Sequence, residues 1–282
     1  REIRGHRMIS APEVKTETNQ NAKAGRSIRE LLLPLFIQVG TSAASLRADS
    51  LGHFRSGEKR YWIPRFIFRG RESDEPPMKI GIFAGIHGDE LAGTLALIDV
   101  LRELEGNPFL GRAYRIFFYP LCNPTGYEDG TRESRSGKDL NREFWKNSTE
   151  PEIALLEAEL TRQKFDGIIS LHSDDTSDGL YGFVRGATLT EFLLKPALAA
   201  AEEALPINSA ERIDGFHAVN GIIHSAYDGI LSAPPCSHPA PFEIVLESPQ
   251  HSPLESQRQS MVFAVREIIR YYRRMMAFAA GI

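Results

Sequence analysis

The chain has 282 residues, 42% of them hydrophobic and 25% charged, with 23 glycines and 17 prolines, an ordinary profile for one large α/β domain or two small ones. Its 33 basic and 37 acidic residues leave a formal charge of −4 and are spread along the sequence, so no strong field for nucleic acid or membrane is implied. Two cysteines, Cys122 and Cys236, are too few for a disulfide framework and wrongly spaced for a thiolate metal site, and both read as packing residues.

Residues 1–25 are mostly polar and read as an arm that feeds an edge of the sheet. They hold no hydrophobic signal core, and no apolar run approaches the roughly 18 residues of a membrane span. The expectation is a cytoplasmic protein, with an export signal upstream of Arg1 left open. RELLLPLFIQV and RYWIPRFIFRG then cluster or alternate apolar residues as strands or a short helix would. From residue 78 the pattern becomes regular: MKIGIFAGI is a buried strand, 89–105 a helix, YRIFFYPLC a strand, EPEIALLEAELTRQ a helix and FDGIISLH a strand. That is βαβαβ, hence a mainly parallel sheet with helices on both faces. GLYGFVRG (strand), TEFLLKPALAAAEEAL (helix), PFEIVLES (strand) and a helix from about 254 to 278 follow, with RYYRR at 270–274 as a solvated helix face. No repeat and no shift in composition marks a second domain. The fold class is therefore a single α/β domain around a mainly parallel, mixed sheet.

Two connections are long, 121–149 and about 206–241, and loops of that length in a compact domain usually carry function. Ligands gather at the carboxyl ends of the strands in open α/β sheets. His87 follows the first regular strand, Asn123 the second, His172 ends the third, and Glu247 lies near the end of PFEIVLES. Four polar signals thus fall on one edge.

The first of them sits in GIHGDE, 85–90. Eight histidines and 37 acids in 282 residues make one His-x-x-acid pair ordinary, and the chain has two, His87 with Glu90 and His172 with Asp175. Context favours the first, because Gly85 and Gly88 allow a sharp turn out of a strand and Glu90 opens the next helix. A turn histidine beside an N-capping Asp89 and a first-turn glutamate is the competing interpretation. His172 adds a third point: two histidines and one carboxylate make a catalytic zinc set with a position left open. Asp174 and Asp175 are candidates to hydrogen-bond those ligands. A phosphate loop is not indicated, since neither Gly-Lys-Ser/Thr nor G-x-G-x-x-G spacing occurs.

NPTGYEDGTRESRSGKDLNREF, 123–144, adds a specific block. With GIHGDE and His172 it resembles the zinc carboxypeptidase family, whose relatives include succinylglutamate desuccinylase and aspartoacylase. The matching elements are H-x-x-E at 87–90, N-P-x-G at 123–126, an arginine at 132, G-x-D-L-N-R at 137–142 and the histidine of LHSD at 172, over roughly residues 78–250. The sequence ends one helix after PFEIVLES, so the expectation is the single-domain carboxypeptidase architecture over 26–282, without the extra domain of the desuccinylase branch.

The resemblance implies one zinc held by His87, Glu90 and His172. It also implies Arg132 as the arginine that stabilises the oxyanion, and Asn141 and Arg142 as the grip on a substrate carboxylate. The chemistry agrees, since amide attack builds charge that a guanidinium stabilises and arginine suits bidentate carboxylate binding. Arg135 reads instead as a solvated loop arginine. A general base is also needed, and the family keeps a glutamate for it on a late strand. Glu243 and Glu247 share a strand face but lie about 13 Å apart at 3.3 Å per residue; only Glu247 can reach the other residues. Tyr227 stands where the family's substrate-covering tyrosine falls, with a packing tyrosine as the alternative.

Together these imply a zinc-dependent hydrolase of an amide or peptide bond next to a free carboxylate, acting on a small peptide or N-acyl amino acid and engaging neither nucleic acid nor membrane. An N-acyl amino acid deacylase is the alternative within the class, and a catalytically silent zinc or peptide-binding module the alternative outside it.

Overall fold

The computed structural model describes residues 26–42, 45–71, 76–107 and 109–280; the polar arm of 1–25 lies outside them. Helix α1 (Ile28–Thr41) starts at Ser27, whose hydroxyl accepts from the Glu30 amide at 3.2 Å, and buries Ile28, Leu32 and Leu35. RELLLPLFIQV is therefore helix. RYWIPRFIFRG lies in strand β2 (Lys59–Arg69), which folds back antiparallel on β1 (Leu46–Ser56).

The regular part follows the sequence pattern. Strands β3 (Met78–Ala84), β4 (Tyr114–Tyr119), β5 (Gly167–Asp174) and β10 (Phe242–Pro249) are parallel in the order β4-β3-β5-β10. Continuous apolar runs such as Ile80, Ile82 and Phe83 suit strands covered on both faces. Helix α2 (Leu91–Gly106), α6 (Lys195–Ala201), α7 (Leu254–Ala280) and α1 cover one face, where Leu97, Leu101, Val265 and Ile268 are fully buried. Helix α4 (Pro151–Gln163) covers the other with Ile153, Leu156 and Leu160. The outer strands are mixed: β2 joins β4 antiparallel, β6 (Tyr181–Val184) joins β10 antiparallel, and β7 (Arg212–Ile213), β8 (Phe216–Val219) and β9 (Ile222–Ile223) extend that edge to ten strands. No helix among the described residues is long and apolar enough to cross a membrane.

Four details differ from the sequence expectations. The helix expected over 190–205 is broken: α5 (Ala187–Leu189) passes through a π-helical turn at Thr190–Leu194 into α6, which ends at Ala201. Pro196 has no amide to give the carbonyl four residues back. The 206–241 connection contains a hairpin whose turn, Asp214 (φ 52) and Gly215 (φ 80), is left-handed at both positions. Cys122 is buried, as a packing residue is, but Cys236 is exposed. In RYYRR, Arg270 and Arg274 are exposed while Tyr272 is buried against Phe242, ring centroids 4.6 Å apart.

Candidate metal centre and active site

The chain leaves β3 through Gly85 at φ 63, a region that disfavours side chains. Gly88 packs so closely on the next segment that a Cβ there would lie 2.0 Å from the carbonyl carbon of Gly126. That neighbour is α3 (Pro124–Asp129), capped by Asn123, whose side chain accepts from the Gly126 amide at 2.8 Å. The Asn123 amide in turn donates to Gly85 O at 2.7 Å. N-P-x-G is thus a buttress that fixes the corner carrying His87.

On that corner Glu90 stands at the start of α2 but makes no capping bond. Its carboxylate meets His87 Nδ1 at 2.5 Å and His172 Nδ1 at 3.1 Å, and the two Nδ1 atoms are 3.3 Å apart. The three residues offer ligand atoms within 4.8 Å of one another, and each is at most 5% exposed. The outer ring nitrogens are engaged: His87 Nε2 with Asp139 Oδ1 at 3.1 Å, His172 Nε2 with Ser170 Oγ at 3.0 Å. A carboxylate accepts only, so His87 donates to Asp139 from Nε2, and Nδ1 is the ring nitrogen turned toward Glu90 and His172, where a metal would replace its proton. Two imidazole nitrogens and one carboxylate, converging on one point, fit a zinc ion.

The three residues shift one another's titration. Burial disfavours the His87 imidazolium, but the Glu90 charge and the bonds to Asp139 and Glu90 outweigh it and raise the pKa to about 9. For His172 burial prevails and lowers the pKa. Burial would raise Glu90, yet the two histidines hold its carboxyl below the usual carboxylate range. A divalent cation would take over the charge balance now kept by one proton.

Above these groups lies a cavity of about 280 Å³ whose lining includes His87, Glu90, Arg132, Asn141, Arg142, Tyr227 and Glu247. Glu247 pairs in register with His172 and with Tyr181. Its carboxyl is pushed well above the ordinary range, first by burial and then by the charges of Glu90, Asp174 and Asp214. Glu243 lies away from this cavity, accepting from the Ala233 amide at 2.7 Å. Arg132 is held by Asp139 at 3.2 Å with its other nitrogen 3.6 Å from Glu90. Asn141 Oδ1 accepts from the Leu231 amide at 2.9 Å. The Arg142 guanidinium lies 4.2 Å from the centre of the Tyr227 ring. The Tyr227 hydroxyl donates to the Asp214 carbonyl at 2.9 Å, and burial together with the Asp214 charge raises its pKa to about 12.

Asp174 and Asp175 do not support the ligands as expected. Asp174 accepts from the Tyr181 hydroxyl at 2.8 Å and from Thr176, and Asp175 is an exposed residue at the cavity. Arg135 is not simply solvated: it lies over Tyr61 and pairs with Glu128 and Asp129, tying its loop to β2. Sequence reasoning missed Asp139, which stood unremarked inside G-x-D-L-N-R, and Ser170, two positions before His172 on the same strand face. It also missed Asp214, whose only signal was the turn dipeptide Asp-Gly.

Residues 77–211, a little under half of the chain, match the family model of the succinylglutamate desuccinylase/aspartoacylase catalytic domain. A comparison with curated proteins gives no match. Among solved structures, an inferred metallopeptidase from Shewanella denitrificans superposes with TM-score 0.71 at 24% identity, covering 86% of this chain and 89% of that one. A metallo-carboxypeptidase from Burkholderia cenocepacia gives 0.65 at 18%, covering 89% and 70%. A metallo-carboxypeptidase from Pseudomonas aeruginosa, solved with (2-guanidinoethylmercapto)succinic acid, gives 0.62 at 15%, covering 88% and 70%. Over residues 77–211 the sequence is thus similar to the succinylglutamate desuccinylase/aspartoacylase catalytic domain, and over most of its length the chain has the fold of the metallo-carboxypeptidases.

Proposed function

We propose that the protein is a zinc-dependent hydrolase that cleaves an amide or peptide bond next to a free carboxylate. The observation that carries this reading is a buried donor set of two histidines and a carboxylate beneath one cavity that also presents Glu247 and two arginines. His87, Glu90 and His172 would hold the zinc, which when bound polarises a carbonyl and makes water a better nucleophile. Glu247 takes the proton of the attacking water and returns it to the leaving amine, a role suited to a carboxyl whose pKa burial raises well above the ordinary range. Arg132, oriented by Asp139, stabilises negative charge developing on the carbonyl oxygen.

Asn141 and Arg142 hold the substrate carboxylate. The Asn141 oxygen is occupied by Leu231, which leaves its NH₂ as a donor, and Tyr227 steadies the guanidinium from one side. The succinic acid derivative bound by the Pseudomonas neighbour supports such an anchor. The deacylase alternative is favoured by the family match over 77–211. Both readings share the scissile amide and the anchored carboxylate. A silent binding module would gain nothing from burying Glu247 among Glu90, Asp174 and Asp214.

The test is a hydrolysis screen of the zinc-reconstituted protein against peptides with a free carboxyl terminus, muropeptide fragments and N-acyl amino acids. At least one class should be cleaved, a chelator should abolish cleavage and zinc restore it, and Glu247→Gln should reduce turnover about 10²-fold or more. No cleavage across the panel, or near-normal turnover in Glu247→Gln, would overturn the proposal.

A further inference from the structure

Beside the metal pocket lies a larger cavity of about 640 Å³, and Phe183, Tyr227, Ile230 and Val245 line both. Its floor is the face of β5 and β10 that carries the site. Going down the register, Glu247 stands beside His172, Val245 beside Ser170 and Glu243 beside Ile168, and alternation keeps all six on one face. Its roof, the 225–241 segment, is pinned at several points. Gly229 O accepts from the Phe144 amide at 3.0 Å, the Leu231 amide donates to Asn141 at 2.9 Å, Ser232 O accepts from the Trp145 indole at 3.2 Å, and the Ala233 amide donates to Glu243 at 2.7 Å. The chamber is therefore preformed and needs little ordering to receive a ligand.

Its chemistry changes along its length. Near the metal pocket the shared walls, Phe183, Ile230 and Val245, are apolar. Farther down stands Glu243, whose Oε1 is taken by Ala233 while Oε2 has no hydrogen-bond partner among the described residues. The only cation lining the chamber, Arg185, is exposed at its rim and forms no ion pair with Glu243 among the described residues. Burial outweighs the Ala233 amide and the charge of Arg185 and holds the Glu243 carboxyl above its ordinary range, so a cation arriving beside Oε2 would add the direct ion pair that Arg185 does not make.

Length selects the occupant. Glu243 and Glu247 are separated by about 13 Å of strand. From the carbon of a scissile amide near Glu247 to the terminal nitrogen of a lysine on its leaving side is roughly 9 Å extended. One hydrogen bond of about 2.9 Å then closes most of the remainder. Resting on the hydrolase reading above, we propose that this chamber receives the side chain of the leaving amino acid, and that Glu243 selects long side chains ending in an ammonium or guanidinium while Asn141 and Arg142 hold the α-carboxylate.

The leaving amino acid is also the product, so the chamber can be probed without turnover. L-lysine and its isostere lacking the amine, L-norleucine, would be titrated calorimetrically into the zinc-loaded chain and into Glu243→Gln, which keeps an acceptor for the Ala233 amide. Lysine should bind at least tenfold more tightly than norleucine to the unmodified protein, and the difference should vanish in the variant. Equal or tighter binding of norleucine, an undiminished preference in Glu243→Gln, or no binding of either amino acid at tens of millimolar would overturn the proposal. The first comparison needs no variant, so a folding defect cannot mask it. A lysine preference without any amide hydrolysis would sink the hydrolase reading and leave the chamber assignment standing; equal cleavage of lysine- and norleucine-terminated peptides would do the reverse.

Discussion

Glu90 has the extended backbone of a helix cap, φ −86 and ψ 93, but its side chain caps nothing and α2 has no acid in its first turn. A capping side chain typically contributes about 1 kcal/mol, and here that contribution is given up so that the carboxylate can face two histidines. A local rule broken in this way marks a functional site. Asp139 shows the opposite economy, since one carboxylate serves three partners: His87 Nε2, the Arg132 guanidinium and the Asn141 amide at 2.9 Å. It fixes the histidine tautomer and aims the arginine together. Asp139→Asn should therefore weaken zinc binding about 10- to 100-fold, measured by competition with a chromophoric chelator. Unchanged affinity would show that the contact does not orient the ligand. None of this could be read from Asp139 alone, because its importance lies in partners 52 and 7 positions away.

Elements whose residues are buried on both faces were legible in the sequence. MKIGIFA, YRIFFY, GIISLHSD and FEIVLESP each write their strand as an apolar run, and the strand ends mark where His87, His172 and Glu247 stand. Edge elements were not. Strand β1 reads LRADSLGHFRS with a burial pattern too irregular to give a period, and β7 and β9 have two residues each, so pairing across the sheet decides them. The corner at Gly88 is intermediate: the glycine was visible, the reason for it was not. Its reason is α3, and Gly88→Ala would press a methyl into the backbone at Gly126 and Tyr127, 2.0 and 2.2 Å away. We expect a loss of at least about 2 kcal/mol in denaturant unfolding together with reduced zinc content, as the His87 corner is pushed off α3. Gly106→Ala, with nothing within 4 Å of the added carbon, should leave both almost unchanged. Similar losses in the two variants would mean that the close approach is not what holds the corner.

At the scale of the whole molecule the sheet serves as a ruler, and the two long loops complete the cavity at its carboxyl edge. The 121–149 segment brings Arg132 and Arg142 to the carboxyl edge, and the same cavity carries Asp174, Asp214 and Glu247. On the proposed reading a substrate carboxylate would be drawn to the arginines, with the scissile bond between them and Glu247. On that same reading the two arginines should have separable effects. Arg142, stacked on Tyr227, holds the ground state, so Arg142→Ala should mainly raise KM. Arg132, fixed by Asp139 beside Glu90, acts as charge builds on the oxygen, so Arg132→Ala should mainly lower kcat, with a single such donor contributing about 3 kcal/mol. Amidating the substrate carboxylate should reproduce the Arg142→Ala defect in the unmodified protein and add little to it in the variant. Equal hydrolysis of free and amidated substrates would point instead to an internal amidase, and would leave the two arginines of the cavity without a substrate carboxylate to meet.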